Sequence, residues 1–183
     1  MNKTFGLKAS LMMAGLLALP LAHAASMDKT AYQAAKSRIE ADHKAAKAGC
    51  AQLAGNAKDV CTEEGKAKQK VARAELEYAY SGKMGDQNKV LVTKAETVYA
   101  VAKEKCDDKA GNVKDVCVQE AKAVETKALA DAKAGKQIGE VRMDANEAKR
   151  DADYKLATEK CDALAGDAKT ACMASAKTMH GKS

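Results

Sequence analysis

The amino-acid sequence predicts an all-α protein, an array of three disulfide-stapled antiparallel helical hairpins that is either elongated or bundle-like. Its six cysteines fall into three pairs, the members of each pair lie 11 residues apart, and the pairs recur every 55 to 56 residues. Apolar residues upstream of each pair are spaced by three or four, which is the helical period. A glycine followed by Asn or Asp lies between the two cysteines of each pair. A recurrence of this length indicates three copies of one structural unit.

The composition gives little material for a hydrophobic core. Of the 183 residues, 40 are alanine, and after residue 24 there are 19 Leu, Ile and Val together and no Phe, Trp or Pro. So small a share of large apolar residues is typical of chains with weak core-forming capacity. We therefore do not expect a large globular enzyme.

The first 24 residues have the features of an export signal. Lys3 and Lys8 form a basic start, 11–21 is a short apolar stretch, and 22–24 reads Ala-His-Ala, which fits a cleavage site. The alternative is an uncleaved anchor, but the apolar stretch is too short to cross a bilayer of about 30 Å comfortably. We expect cleavage before Ala25, a mature chain with no transmembrane segment, and a periplasmic or secreted location.

The charge is nearly balanced. The chain has 31 basic and 25 acidic residues, a net charge of +6, and loss of Lys3 and Lys8 leaves 29 against 25, or +4. Both signs are mixed along the chain, and no aromatic residues interleave with basic ones, so we expect no nucleic-acid partner.

Each hairpin should contain two helices joined at the glycine between its cysteines. We expect three hairpins, the last with a short C-terminal helix and tail: 25–83, 84–138 and 139–183. Between hairpins we favour a break or kink at Gly82/Gly85 and at Gly135/Gly139, which gives six helices. Without these breaks, two helices of more than 50 residues would be flanked by shorter ones.

The turn residues suggest specific capping roles. One glycine per repeat is expected to end the first helix in a left-handed conformation: Gly55, Gly111 and Gly166. The next residue suits the N-cap of the second helix: Asn56, Asn112 and Asp167.

The repeat selects one cysteine pairing out of the 15 possible for six cysteines: Cys50–Cys61, Cys106–Cys117 and Cys161–Cys172. Each cysteine is about five residues from its turn, one on each arm, so facing backbones lie within disulfide range. The alternative is a metal or redox site, but no C-x-x-C motif is present and no histidine recurs beside the pairs.

The segments DKTAYQAAKSRIEADHKAAKAGC and LAGNAKDVC resemble an Ala/Lys-rich family of exported proteobacterial proteins with repeats of the type C-D-x-L-x-G-N-A-K-D-x-C. Members of that family are often labelled TolA-like cell envelope biogenesis proteins. The resemblance covers nearly all of the mature chain and implies a role in the cell envelope.

We predict no catalytic, cofactor-binding or metal site. His43 stands seven residues before a cysteine, where the other repeats have Tyr99 and Tyr154, so we expect a residue of the helix–helix seam. His180 is expected in a mobile tail, where only Met173 and Met179 offer further soft-metal ligands.

The function expected from the sequence is that of a non-enzymatic structural or interaction protein of the cell envelope, acting through repeated helical surfaces. Its partners would be envelope components or other proteins, with self-association possible. The alternative is a periplasmic stress-protective protein or holdase chaperone, because weakly packed amphipathic helices can offer apolar seams to unfolded clients.

Overall fold

A computed structural model describes residues 27–182, and in this range the chain is helical and contains no strand. Five helices follow one another: α1 (Lys29–Cys50), α2 (Gly55–Ser81), α3 (Met84–Cys106), α4 (Gly111–Asp162) and α5 (Gly166–His180). The predicted all-α class with stapled hairpins is confirmed. The predicted signal peptide, 1–24, lies outside the described residues.

The helices pack in chain order. α1 contacts α2, α2 contacts α3, α3 contacts α4, and α4 contacts α5, whereas no contact joins non-consecutive helices among the described residues. Asp28 is the N-cap of α1, and its side-chain oxygen accepts a hydrogen bond of 2.8 Å from the backbone N–H of Ala31. Because each helix meets only its chain neighbours, much of every helix surface stays in solvent.

The buried side chains are few and mostly small. Two large aliphatic residues, Leu76 and Val90, are buried, and the other apolar members of the core are alanines and half-cystines: Ala74, Ala95, Ala121, Ala132, Ala176, Cys50, Cys106 and Cys161. Small side chains allow two helices to approach closely, but each contributes little buried apolar area. This agrees with the weak core that the composition predicts.

The expected break between the first two hairpins is present. Gly82 ends α2 with a left-handed φ of 63°, and its N–H donates to the carbonyl of Tyr78. The Ser81 hydroxyl donates to Asp86 at 2.5 Å and accepts from the N–H of Lys83 at 3.1 Å, so it joins the end of α2 to the start of α3. Glycine fits here because the left-handed region carries no Cβ penalty for it.

The expected break between the second and third hairpins is wrong. α4 is one helix of 52 residues that includes Gly135 and Gly139, so the boundary placed between 138 and 139 falls inside it. A glycine within a helix lowers its stability by only about 1 kcal/mol relative to alanine, which the neighbouring turns can absorb. A Cβ built at Gly139 would lie 1.9 Å from the end of the flexible Met84 side chain, so α4 passes close to the start of α3 at this point.

His180, expected in a mobile tail, is the last residue of α5, and residues 181–182 continue from the helix against α4. Gly181 terminates α5 with a left-handed φ of 64°, its N–H donates to Thr178, and the N–H of Lys182 donates to Lys177. This pair of bonds forms a Schellman motif. Lys182 also forms an ion pair of 2.5 Å with Asp151 of α4, so the end of α5 is held against α4.

Candidate interaction surface

Three local disulfides have the predicted pairing. Cys50 bonds Cys61, Cys106 bonds Cys117, and Cys161 bonds Cys172, with Cα–Cα distances of 5.5, 5.8 and 5.6 Å. The first cysteine of each pair is almost fully buried, at 2%, 1% and 1% exposure. Each staple therefore fixes the two helices of a hairpin next to their turn, at the same place in all three repeats.

A small residue lies one helical turn beyond each staple. Gly65 is buried, and a Cβ built on it would lie 3.5 Å from the Cβ of Ala46 on the facing helix. The equivalent positions in the other repeats hold alanine pairs: Ala102 with Ala121, and Ala157 with Ala176. The stapled end of each hairpin therefore has small residues at the facing positions of its two helices.

A ring follows one turn further along each seam. His43, Tyr99 and Tyr154 are all half-buried, and each faces the following helix, as predicted. The Tyr154 ring lies 6.2 Å from that of His180, in an edge-on arrangement. These rings form part of the hairpin packing, which explains why histidine and tyrosine can occupy one repeat position.

In the second repeat, a Lys–Glu ion pair lies beside the ring of Tyr99. The Lys122 ammonium lies 4.9 Å from the centre of the Tyr99 ring and 2.6 Å from the carboxylate of Glu125, which is only 7% exposed. The hydrogen bond to Glu125 raises the pKa of Lys122 above its ordinary value. The Lys122–Glu125 ion pair therefore lies against the Tyr99 ring and forms part of the hairpin packing.

The turns differ from prediction in their capping. The three glycines have left-handed φ angles of 55°, 54° and 57°, as expected, but each is the first residue of the second helix and not the end of the first: Gly55, Gly111 and Gly166. The residues predicted as N-caps are the second residues of those helices, and the caps are alanines without a side-chain hydrogen bond: Asn56, Asn112 and Asp167. A Gly-Asn pair suits either arrangement, so the sequence did not distinguish them.

Two of the three turns carry the same ion pair. Lys114 lies 2.8 Å from Asp107, and Lys169 lies 2.9 Å from Asp162. Both acidic residues directly follow the first cysteine of their pair, where the first repeat has Ala51. The hydrogen bond to Asp107 raises the pKa of Lys114. The first turn cannot form this bridge because Ala51 has no carboxylate.

Ion pairs also join α2 to α3. Lys94 lies 2.6 Å from Glu75, and Lys105 lies 2.7 Å from Glu64. The hydrogen bond from Lys105 lowers the pKa of the Glu64 carboxyl below its ordinary value of 4.5. Because these residues are about half-exposed, we expect each pair to stabilise the contact by less than about 1 kcal/mol.

An open apolar groove of about 400 Å³ runs between α3 and α4. Leu91 and Val98 of α3 and Val124 of α4 line it and are 48%, 55% and 55% exposed. The sequence did not predict this groove. Leu91 and Val98 are seven residues apart, and this spacing places both on one face of a helix. The spacing does not tell whether another helix covers that face.

The residues considered as possible metal ligands or catalysts do not lie together in one site. Within residues 27–182, no group of three or more His, Cys, Asp or Glu side chains is placed to hold a metal ion. Met173 and His180 are seven residues apart on α5, a rise of about 10 Å, and Met179 points to a different side of that helix. His43 lies in the hairpin seam, and no described residue forms a hydrogen bond with its Nε2 atom.

No helix in the described part of the chain combines the length and apolar character needed to cross a membrane. No family model, curated protein or solved structure matches the chain.

Proposed function

We propose that the chain is a non-enzymatic structural or interaction protein of the cell envelope that acts through its exposed helical surfaces in the periplasm. The observation that carries this proposal is the packing in chain order, which leaves apolar side chains in solvent on a scaffold held by three disulfides. Disulfides persist in oxidising compartments such as the periplasm. The export signal predicted for residues 1–24 supports the same location.

The α3–α4 groove is the surface that best suits a partner. Most of the side chains that line it are aliphatic, and the charged residues Lys94, Glu125 and Asp131 line it as well. An apolar strip with charged margins resembles the grooves that accept the apolar face of an amphipathic helix or an extended apolar peptide. We therefore propose a helical or extended segment of another envelope protein as the partner.

Site-specific photo-crosslinking in cells tests this proposal. A photo-reactive residue at Val98, in the groove, should capture one or a few envelope proteins, whereas the same residue at Lys103, exposed on α3 but not lining the groove, should not. Equal capture at both positions would show that the groove is not a specific surface.

The exposed apolar groove also favours a second function, that of a holdase chaperone for unfolded proteins. In that case the oxidised mature chain should suppress aggregation of several unrelated unfolded proteins, and Val98→Asp should weaken the suppression. Crosslinks to one defined partner in cells, without suppression of aggregation, would favour the structural role. Suppression of aggregation, with crosslinks to many different proteins, would favour the holdase.

A further inference from the structure

The middle of α4 has no partner. α3 reaches α4 as far as Gly139, where Met84 packs, and the end of α5 reaches it as far as Glu147. The residues between, 140–146, are exposed on every side. A helix section without packed neighbours gains no stabilisation from tertiary burial, so its pattern of side chains indicates what else it can contact.

This section carries an apolar stripe with coiled-coil spacing. Six exposed residues follow one another at intervals of 4, 3, 4, 3 and 4: Ala134, Ile138, Val141, Ala145, Ala148 and Ala152. We call this stripe the α4 seam. It alternates a and d heptad positions over about 28 Å, and the next positions at its two ends hold the charged residues Asp131 and Lys155. Ile138 and Val141 are 55% and 66% exposed, so the stripe is not covered within the chain.

The α4 seam faces away from the rest of the protein. At 100° per residue, Gly139 and Tyr154, which lie on the sides covered by α3 and α5, are on the opposite side of α4 from Val141. A helix laid along the seam would therefore meet neither α3 nor α5. Because α4 is already formed in the folded chain, such a contact does not require ordering of the backbone.

The charges beside the seam indicate its partner. One flank is basic, with Arg142 and Lys149 at e positions, and the other is acidic, with Asp144 and Asp151 at g positions. Among the described ion pairs, Asp151 is bound by Lys182, whereas the other three side chains have none. In a parallel pair of identical helices, a g residue faces the e residue five positions later in the second copy. Asp144 would then meet Lys149 of the second copy, twice by symmetry.

The antiparallel arrangement is disfavoured by the same charges. It would place acidic flank against acidic flank and basic flank against basic flank, and like charges at e and g positions repel. We propose that two copies of this chain associate through the α4 seam as a parallel dimer, with Ile138 and Val141 at its apolar centre. The proposal concerns a different surface from the α3–α4 groove and does not depend on the partner proposed for that groove.

The test uses the oxidised mature protein and sedimentation equilibrium, with circular dichroism to confirm that each variant is folded. Val141→Asp should raise the dimer dissociation constant by about tenfold or more, whereas Met143→Asp should change it less than about threefold. Met143 is a matched control because it is 56% exposed on the other side of the same helix section. A wild-type chain that stays monomeric up to about 100 µM, or equal weakening by the two variants, would overturn the proposal.

Orientation has its own test. Ala152→Cys should form a covalent dimer under mild oxidation, because a parallel pair in register places residue 152 beside itself, while Asn146→Cys, exposed on another side, should not. Asp144→Lys and Lys149→Asp should each weaken the dimer, and the double variant should restore it. Failure of restoration, or no self-crosslink at residue 152, would contradict the parallel arrangement.

Discussion

Replacement of Gly65 by alanine should stabilise the protein, because the first hairpin seam has room for a methyl group. The Cβ of the new alanine would lie 3.5 Å from that of Ala46, which is an ordinary van der Waals distance, and no other non-local atom lies within 4 Å. The site is buried in the middle of α2. The other two repeats already have alanine at this position, in Ala121 and Ala176.

Two effects set the expected magnitude. Alanine exceeds glycine in helix propensity by about 1 kcal/mol within a helix, and a newly buried methyl group adds up to about 0.8 kcal/mol. We therefore expect Gly65→Ala to raise the free energy of unfolding by about 1 to 2 kcal/mol, measured by urea unfolding of the oxidised mature chain under circular dichroism. The reverse change in the third repeat, Ala176→Gly, should lower it by a similar amount, because Ala176 is only 1% exposed.

Gly49→Ala is the matched control. Gly49 is exposed near the end of α1, and no non-local atom lies within 4 Å of a Cβ built there. This variant should gain only part of the propensity effect, less than about 1 kcal/mol. If Gly65→Ala instead lowers the stability, the two helices approach more closely than the methyl group allows, and the reasoning about the seam is refuted.

Three further predictions concern the staples, the turns and the ion pairs. Reduction of the three disulfides should lower the free energy of unfolding far more than any single surface substitution, by up to about 3 kcal/mol for each closed loop in the chain-entropy model, and a melting temperature that moves by only a few degrees would contradict this. Gly111→Ala should lower it by about 1 to 2 kcal/mol because residue 111 has a left-handed φ. Asp107→Ala, which removes an exposed ion pair, should lower it much less. Equal losses in urea unfolding would contradict the strain argument. Hydrogen bonds from Lys105 and Lys182 lower the pKa of Glu64 and Asp151 below the ordinary values of 4.5 and 3.8. The stabilisation from these ion pairs is therefore present above the ordinary pKa values and is lost as the pH falls through the lowered pKa values. In a pH titration of thermal stability, Glu64→Gln should lose less stability than wild type below pH 4.5, and an equal or larger loss would refute this.

The sequence predicted the repeated parts of the structure. The cysteine spacing gave the three disulfides, and the helical period gave antiparallel arms and the half-buried rings of His43, Tyr99 and Tyr154. These predictions succeeded because a repeat shows the same constraint three times, so that a chance pattern in one copy is not mistaken for structure.

The sequence did not predict the features that depend on packing between distant residues. Gly82 ends a helix, whereas Gly135 and Gly139 lie inside one, and at Gly139 α4 passes close to Met84, 55 residues earlier in the chain. The turn glycines were correctly expected to have positive φ, but a Gly-Asn pair does not show which helix the glycine belongs to. The α3–α4 groove depends on the absence of a covering helix, which spacing within one helix cannot reveal.

Quantitative binding to isolated envelope fractions tests most directly the claim that the protein acts through its exposed surfaces. The oxidised mature chain would be compared with Val98→Asp, which places a charge in the α3–α4 groove, and with Lys103→Asp, which changes an exposed charge outside it. The account predicts saturable binding that Val98→Asp weakens by about tenfold or more and Lys103→Asp changes much less. Equal binding by all three proteins, or a catalytic turnover that a single substitution such as His43→Ala abolishes, would contradict it.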